Sequence, residues 1–144
     1  MKAFIAYRST GENQKLLKPL LNSVRDTLKA HGIDSYCNFF DEQEFIDKSY
    51  SPRQILLHGF KNIDKSDFLF VLQTSDNRSG GMLMEIGYSI AKCIPVVAAV
   101  KDGLEFKLIA SAADTVLPWT DNQNLIEAIR RLDISNIENA TIVR

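Results

Sequence analysis

The sequence predicts an α/β domain, a parallel sheet of about five strands with helices on both faces. Short apolar runs alternate with stretches of helical periodicity, the order that βαβ crossovers produce. Two of the runs, Phe68–Leu72 and Ile94–Val100, are apolar along their whole length. Such strands are buried on both sides, which places them in the middle of a parallel sheet. With 144 residues, 45% of them hydrophobic and 24% charged, the chain has the size and composition of one soluble unit with its own core. Residues 1–144 therefore read as a single domain.

Lys2–Tyr7 is a short apolar run closed by Arg8-Ser9-Thr10-Gly11 and predicts the first strand. Leu16, Leu17, Leu20, Leu21, Val24 and Leu28 then recur at helical spacing as far as Gly32. Ile33–Cys37 predicts a second short strand. The segment Asn38–Tyr50 is polar, acidic and aromatic with no period, and reads as a long loop with at most one helical turn. Ser51-Pro52 begins a helix that runs to about Ile63, since Ser caps and Pro suits the first helical position. Phe68–Leu72 is the third strand, Thr74–Gly81 a turn-rich loop, Met82–Lys92 a helix and Ile94–Val100 the fourth strand. A weak element near Phe106–Ala110 precedes a short strand at Thr115–Leu117. Leu125, Ile126, Ile129 and Leu132, with Thr120 or Asp121 as cap, make a further helix, and the tail Asp133–Arg144 has no assignment.

Seventeen Lys and Arg against eighteen Asp and Glu give a net charge of -1, so no global basic field exists to hold a nucleic-acid polymer or an anionic membrane. Cys37 and Cys93 form no CxxC pair, and the two histidines, His31 and His58, have no ligand-like spacing. A reduced, cytoplasmic protein without metal or redox cofactor is the expectation. No stretch approaches the roughly 18 apolar residues of a membrane span.

In a parallel sheet the strand-to-helix loops emerge together at the carboxyl ends of the strands, and ligands bind there. Tyr7–Gly11, Asn38–Glu44, Thr74–Gly81, Lys101–Gly103 and Pro118–Asp121 are thus expected on one edge. Among them Ser79-Gly80-Gly81-Met82-Leu83-Met84-Glu85 joins a buried strand to a helix. Paired glycines let backbone approach a ligand, and free N–H groups at a helix start favour an anion. Glu85, read as a first-turn residue, gains about 0.3–1 kcal/mol from the helix dipole for its ionised form. An ionised carboxylate can trap the oxocarbenium-like centre formed when a glycosidic bond breaks. The same position also suits a carboxylate that merely stabilises its own helix.

Ser79–Lys92, preceded by Ser66-Asp67 and the apolar strand and followed by Pro95-Val96-Val97, resembles the nucleoside 2-deoxyribosyltransferase family, which includes the deoxynucleoside 5′-monophosphate N-hydrolases. The resemblance implies a flavodoxin-like (Rossmann-like) fold. It also implies Glu85 as the nucleophile on the anomeric carbon, with Ser79 at the 5′ end of the sugar. Serine there, in place of the aspartate of nucleoside transferases, favours a nucleotide over a nucleoside. A second aspartate usual in the family falls at Gly59, so the proton donor is open among Asp41, Glu42, Glu44 and Asp67. Asp41 ranks first, and Asp67 belongs to the far end of the sheet. The family's oligomers imply a homodimer or higher homo-oligomer, with Met82, Leu83 and Met84 at a subunit interface.

Phe4–Arg8, Leu28–Ile33, Ile63–Asp67 and Ser75–Glu85 also resemble Toll/interleukin-receptor (TIR) domains. Catalytic members of that group carry a serine and a glutamate six residues apart, as Ser79 and Glu85 are, and attack the nicotinamide ribosyl bond of NAD. The tryptophan and cysteine usual between them are replaced here by Gly81 and Met82. Both resemblances imply the same bond and the same nucleophile, and a non-catalytic nucleotide-binding module is the alternative class. Tyr7, Arg8, Ser9 and Gly11 follow the first strand, where both families place ligand contacts. Ser79, Gly80 and Gly81 complete the expected binding set, and Arg8 suits a phosphate. Trp119 reads either as a stacking platform for a base or as packing, and Arg53 and Arg78 are weaker phosphate partners.

Overall fold

The chain alternates strand and helix from end to end. The computed structural model describes residues 1–143, and Arg144, the end of the unassigned tail, lies outside them. The elements are β1 (Lys2–Ala6), α1 (Gln14–Ala30), β2 (Asp34–Tyr36), a 3₁₀ turn (Asn38–Asp41), α2 (Glu42–Asp47), α3 (Pro52–Asp64), β3 (Phe68–Gln73), α4 (Gly80–Ala91), β4 (Val96–Lys101), α5 (Leu108–Ala112), β5 (Thr115–Trp119), α6 (Asn122–Arg130) and α7 (Ile134–Val143). All pairings are parallel, in the order β2-β1-β3-β4-β5. The expected five-strand parallel α/β architecture is the one observed.

The central strands divide their side chains by alternation. Ile5, Phe68, Phe70, Leu72, Val97 and Ala99 face Leu17, Leu21, Val24, Leu28, Leu125 and Ile129 of α1 and α6. Phe4, Leu69, Val71, Val96 and Ala98 face Ile63, Met82, Ile86 and Ile109 of α3, α4 and α5. Both sheet faces are therefore covered, as apolar β3 and β4 require. Each fully buried side chain of this size contributes roughly 1.5–3 kcal/mol. Helix α1 ends in a Schellman arrangement, with Gly32 at φ 81° and the Ile33 N–H donating to the Leu28 carbonyl at 2.9 Å. That turn feeds β2 into the sheet edge.

Three segments differ from the sequence expectation. Asn38–Asp47 is a 3₁₀ turn followed by α2, not a loop. It has no hydrophobic period because one aromatic holds it: Phe45 is buried, stacked on Tyr50 at 5.3 Å and edge-on to His58 at 5.2 Å. Helix α4 starts at Gly80, two residues early, because the Ser79 hydroxyl caps it by accepting from the Met82 N–H at 3.2 Å. The tail forms α7, with Ile137 buried in the core. Helix α3 begins as expected, with a full capping box between Ser51 and Gln54. No helix among the described residues is long and apolar enough to cross a membrane.

Candidate active site

The carboxyl ends of β1 and β3 open onto a cavity of about 480 Å³. Tyr7, Ser9 and Thr10 enter it from the end of β1 and its loop, Asn38, Glu42 and Phe45 from the 3₁₀ turn and α2, and Ser79, Gly81, Met82 and Glu85 from the start of α4. Pro52, Ile55 and Leu56 of α3 form its apolar wall. The edge expected from the loop positions therefore exists, but it is divided. Glu12, Asn13, Thr74, Lys101, Trp119, Thr120 and Asp121 line a separate cavity on the other side of the β1–α1 loop.

Glu85 is 8% exposed. It is the sixth residue of α4, in the second turn, so the expectation of a first-turn carboxylate favoured by the dipole is corrected. Burial dominates instead and pushes its carboxyl up to about 8, from an ordinary 4.5. In the empty cavity at neutral pH it therefore carries a proton. Gly59 of α3 faces it: a Cβ there would stand 3.2 Å from Glu85 Oε2 and 3.5 Å from Asn38 Nδ2. Glycine thus stands at a point that adjoins Glu85.

The other expected site residues separate into two groups. Tyr7, Ser9, Ser79 and Gly81 line the cavity with Glu85. The Tyr7 hydroxyl donates to Glu42 Oε1 at 3.1 Å, and burial, together with the neighbouring Cys37 and Glu42, holds it far above its usual range. It remains a donor at any working pH. Ser79 presents its hydroxyl at the start of α4 while capping that helix. Arg8, Gly11 and Gly80 are not among the lining residues. Arg8 ties its loop to the β3–α4 loop, where Nη1 donates to the Arg78 carbonyl, and its Nε lies 3.9 Å from Glu12 Oε1. Gly11, at φ 80°, lets the chain pass that guanidinium: a Cβ there would lie 3.3 Å from Arg8 Nη2.

Asp41 is not brought to the cavity. Its Oδ2 accepts from the Tyr36 hydroxyl at 2.7 Å, and that hydroxyl also meets His58 Nε2 at 2.7 Å. With its one proton given to Asp41, Tyr36 accepts from His58, which fixes the Nε2–H form of the ring. Glu42, the next residue, is the one that reaches the cavity. Trp119 is 4% exposed, with Lys101 Nζ 5.6 Å from its ring centre, and packs away from Glu85. Arg78 lies over the Phe106 ring at 4.6 Å. Asp67 is at the opposite end of the sheet as expected, where its Oδ2 accepts the Lys2 backbone N–H at 2.7 Å. Sequence reasoning did not single out Asn38, Phe45, Ile55 or Leu56 as lining residues. A segment without periodicity gave no signal for the first two, and the apolar face of α3 reads as core.

The spatial arrangement has counterparts among solved structures. A 2-deoxyribosyltransferase from Bacillus psychrosaccharolyticus superposes with a TM-score of 0.68 over 95% of this chain and 96% of its own, at 17% identity. This chain shares its fold. A CMP N-glycosidase, BcmB, from Clostridium botulinum matches with a TM-score of 0.65 over 88% of this chain and 96% of that one, at 14% identity. A conserved protein from Enterococcus faecalis V583 matches with a TM-score of 0.65, at 22% identity, over 90% of this chain and 97% of that one. No protein-family model and no curated protein matches the sequence.

Proposed function

We propose that this protein cleaves the N-glycosidic bond of a nucleotide, with Glu85 as the nucleophile. One observation carries the reading: the Glu85 carboxyl, buried and with no cationic partner among the described residues, faces a cavity whose other end is a capped helix start. A structural carboxylate in such a position would be expected to have a partner. A nucleophile that meets its cation only when the anomeric centre develops charge would not. In the reaction, a Glu85 oxygen bonds to C1′ as the bond to the base breaks, and water or a second base then releases the sugar. The activities of two structural neighbours, a CMP N-glycosidase and a 2-deoxyribosyltransferase, support this bond type.

The anionic end of the substrate belongs at Ser79 and Gly81. A hydroxyl donor and the open N–H groups of a twelve-residue helix suit a 5′-phosphate, and no carboxylate stands at residue 79 to repel it. The base belongs at the apolar wall of Phe45, Ile55 and Leu56. Met84, 54% exposed on α4, and Leu57, 46% exposed on α3, provide the surface for a homo-oligomer; Met82, expected at that interface, is instead 3% exposed and packs in the core.

The test is chromatography of free base after incubation with deoxy- and ribonucleoside monophosphates, the matching nucleosides and NAD. Base release from the monophosphates, lost in Glu85→Gln, is expected. Nicotinamide release from NAD alone would move the protein to the TIR-like reaction. Release from no substrate would leave a binding module.

A further inference from the structure

We infer that Glu42 is the proton donor to the departing base. The inference rests on the reading of Glu85 as nucleophile and adds the second group that such a reaction needs. Breaking the C1′–N bond leaves an electron pair on the base, and an ordinary base departs readily only when a proton meets it.

The cavity offers few sources. Among its lining residues only Tyr7, Glu42 and Glu85 carry a titratable side-chain proton. Glu85 is committed to C1′. The Tyr7 hydroxyl is held far above the neutral range and already donates to Glu42. Gly59, beside Glu85 Oε2, brings no group at all, and Asp41 is bound to Tyr36 outside the cavity. Glu42 remains.

Its placement suits the task. Glu42 is the first residue of α2, and Phe45 of the same helix forms the apolar wall with Ile55 and Leu56. A flat base against that wall lies next to the Glu42 carboxyl. The Tyr7 hydroxyl fixes Oε1, which leaves Oε2 to carry the proton.

The proton count closes. As Glu85 bonds to C1′, the electron pair of the broken bond goes to the base nitrogen and the Glu42 proton goes to the base. Glu42 is then a carboxylate able to take a proton from the incoming water, whose oxygen bonds to C1′ as Glu85 leaves. In the empty cavity burial keeps one proton on Glu85 at neutral pH; that proton passes to Glu42 before Glu85 attacks, so the pair lends a single proton that the incoming water restores.

The test compares two leaving groups in wild type, Glu42→Gln and Glu85→Gln. An unmodified nucleoside monophosphate needs a proton on its base. In 7-methylguanosine 5′-monophosphate the ring is already cationic, and the base leaves neutral. Glu42→Gln is expected to lose about 10²- to 10⁴-fold in kcat on the first substrate and little on the second, while Glu85→Gln loses both. Equal loss of both substrates in Glu42→Gln, with an unchanged melting temperature, would overturn the inference. So would unchanged turnover of the unmodified substrate. A wild type that releases neither base would instead overturn the nucleophile reading on which the inference depends.

Discussion

Gly59 and Glu85 face each other across the α3–α4 contact so closely that a single added carbon would touch: its distance to Glu85 Oε2 would be 3.2 Å. Gly59→Ala gains about 0.5–1 kcal/mol of helix propensity and loses a comparable amount in that contact. Its melting temperature is therefore expected to stay within a few degrees of wild type. The displaced carboxylate no longer meets C1′ correctly, so base release falls about tenfold or more. Full activity in this variant, measured by chromatography, would mean that the contact has no bearing on the reaction.

Glu85 destabilises the fold once it ionises. Its carboxyl is pushed up to about 8 in the folded chain, against 4.5 ordinarily. Below both values it is protonated in the folded and unfolded states alike and affects neither. As pH rises from about 4.5 to about 8 the unfolded chain ionises first, and stability is lost across that window, with a plateau above it. At about 1.4 kcal/mol per pH unit the loss approaches 5 kcal/mol. Glu85→Gln, which does not titrate, is thus expected to match wild type near pH 4 and to melt roughly 10–20 °C higher at pH 9. A constant difference across that range, by calorimetry, would contradict the assignment of burial as the cause.

Ser79 caps α4, and under the proposed function it also meets the 5′-phosphate; substitution separates the two. Aspartate caps a helix as well as serine does, so Ser79→Asp keeps the melting temperature, whereas Ser79→Ala costs about 1 kcal/mol and lowers it by roughly 2–4 °C. For a 5′-phosphate the ranking reverses. The aspartate repels it, and KM for a monophosphate rises about tenfold or more while KM for the nucleoside does not. Parallel changes in both KM values would remove the phosphate from this end of the cavity.

Much of this arrangement was legible in the residues. The continuous apolar runs of β3 and β4 announce strands covered on both faces, and Leu17, Leu21, Val24 and Leu28 announce the buried stripe of α1. Ser79 and Glu85, six residues apart, do meet in one cavity. Helix α2 was not legible, because its formation depends on Phe45 meeting Tyr50 and His58, contacts that no hydrophobic period in the segment announces. The two-glycine start of α4 was hidden by poor helix formers and revealed only by the Ser79 cap, which moved Glu85 from the first turn to the second. The choice between Asp41 and Glu42 was beyond pattern reading: adjacent residues on a helical segment point about 100° apart, and only the packing of Phe45 decides which one reaches the cavity.

A pair of carboxyls that works with one proton gives a bell-shaped pH profile. With an unmodified monophosphate, kcat/KM is expected to fall as pH passes about 8, where the last proton leaves the pair. With the cationic 7-methylguanine substrate and Glu42→Gln no proton is needed, only an ionised Glu85, so the trend inverts. The rate then climbs as pH rises toward about 8, for as long as the 7-methylguanine ring keeps its positive charge. Identical profiles for the two cases would contradict the division of roles.

The central claim is that Glu85 forms a bond to the sugar. A nucleoside monophosphate carrying fluorine at the 2′ position slows release of the glycosyl unit, because fluorine destabilises the oxocarbenium-like transition state. The measurement is the mass of the intact protein after incubation with that substrate, followed by peptide mapping. One added fluoropentose phosphate is expected, located on the peptide that contains Glu85 and absent in Glu85→Gln. Turnover of the substrate with no adduct, or an adduct on any other residue, would contradict it.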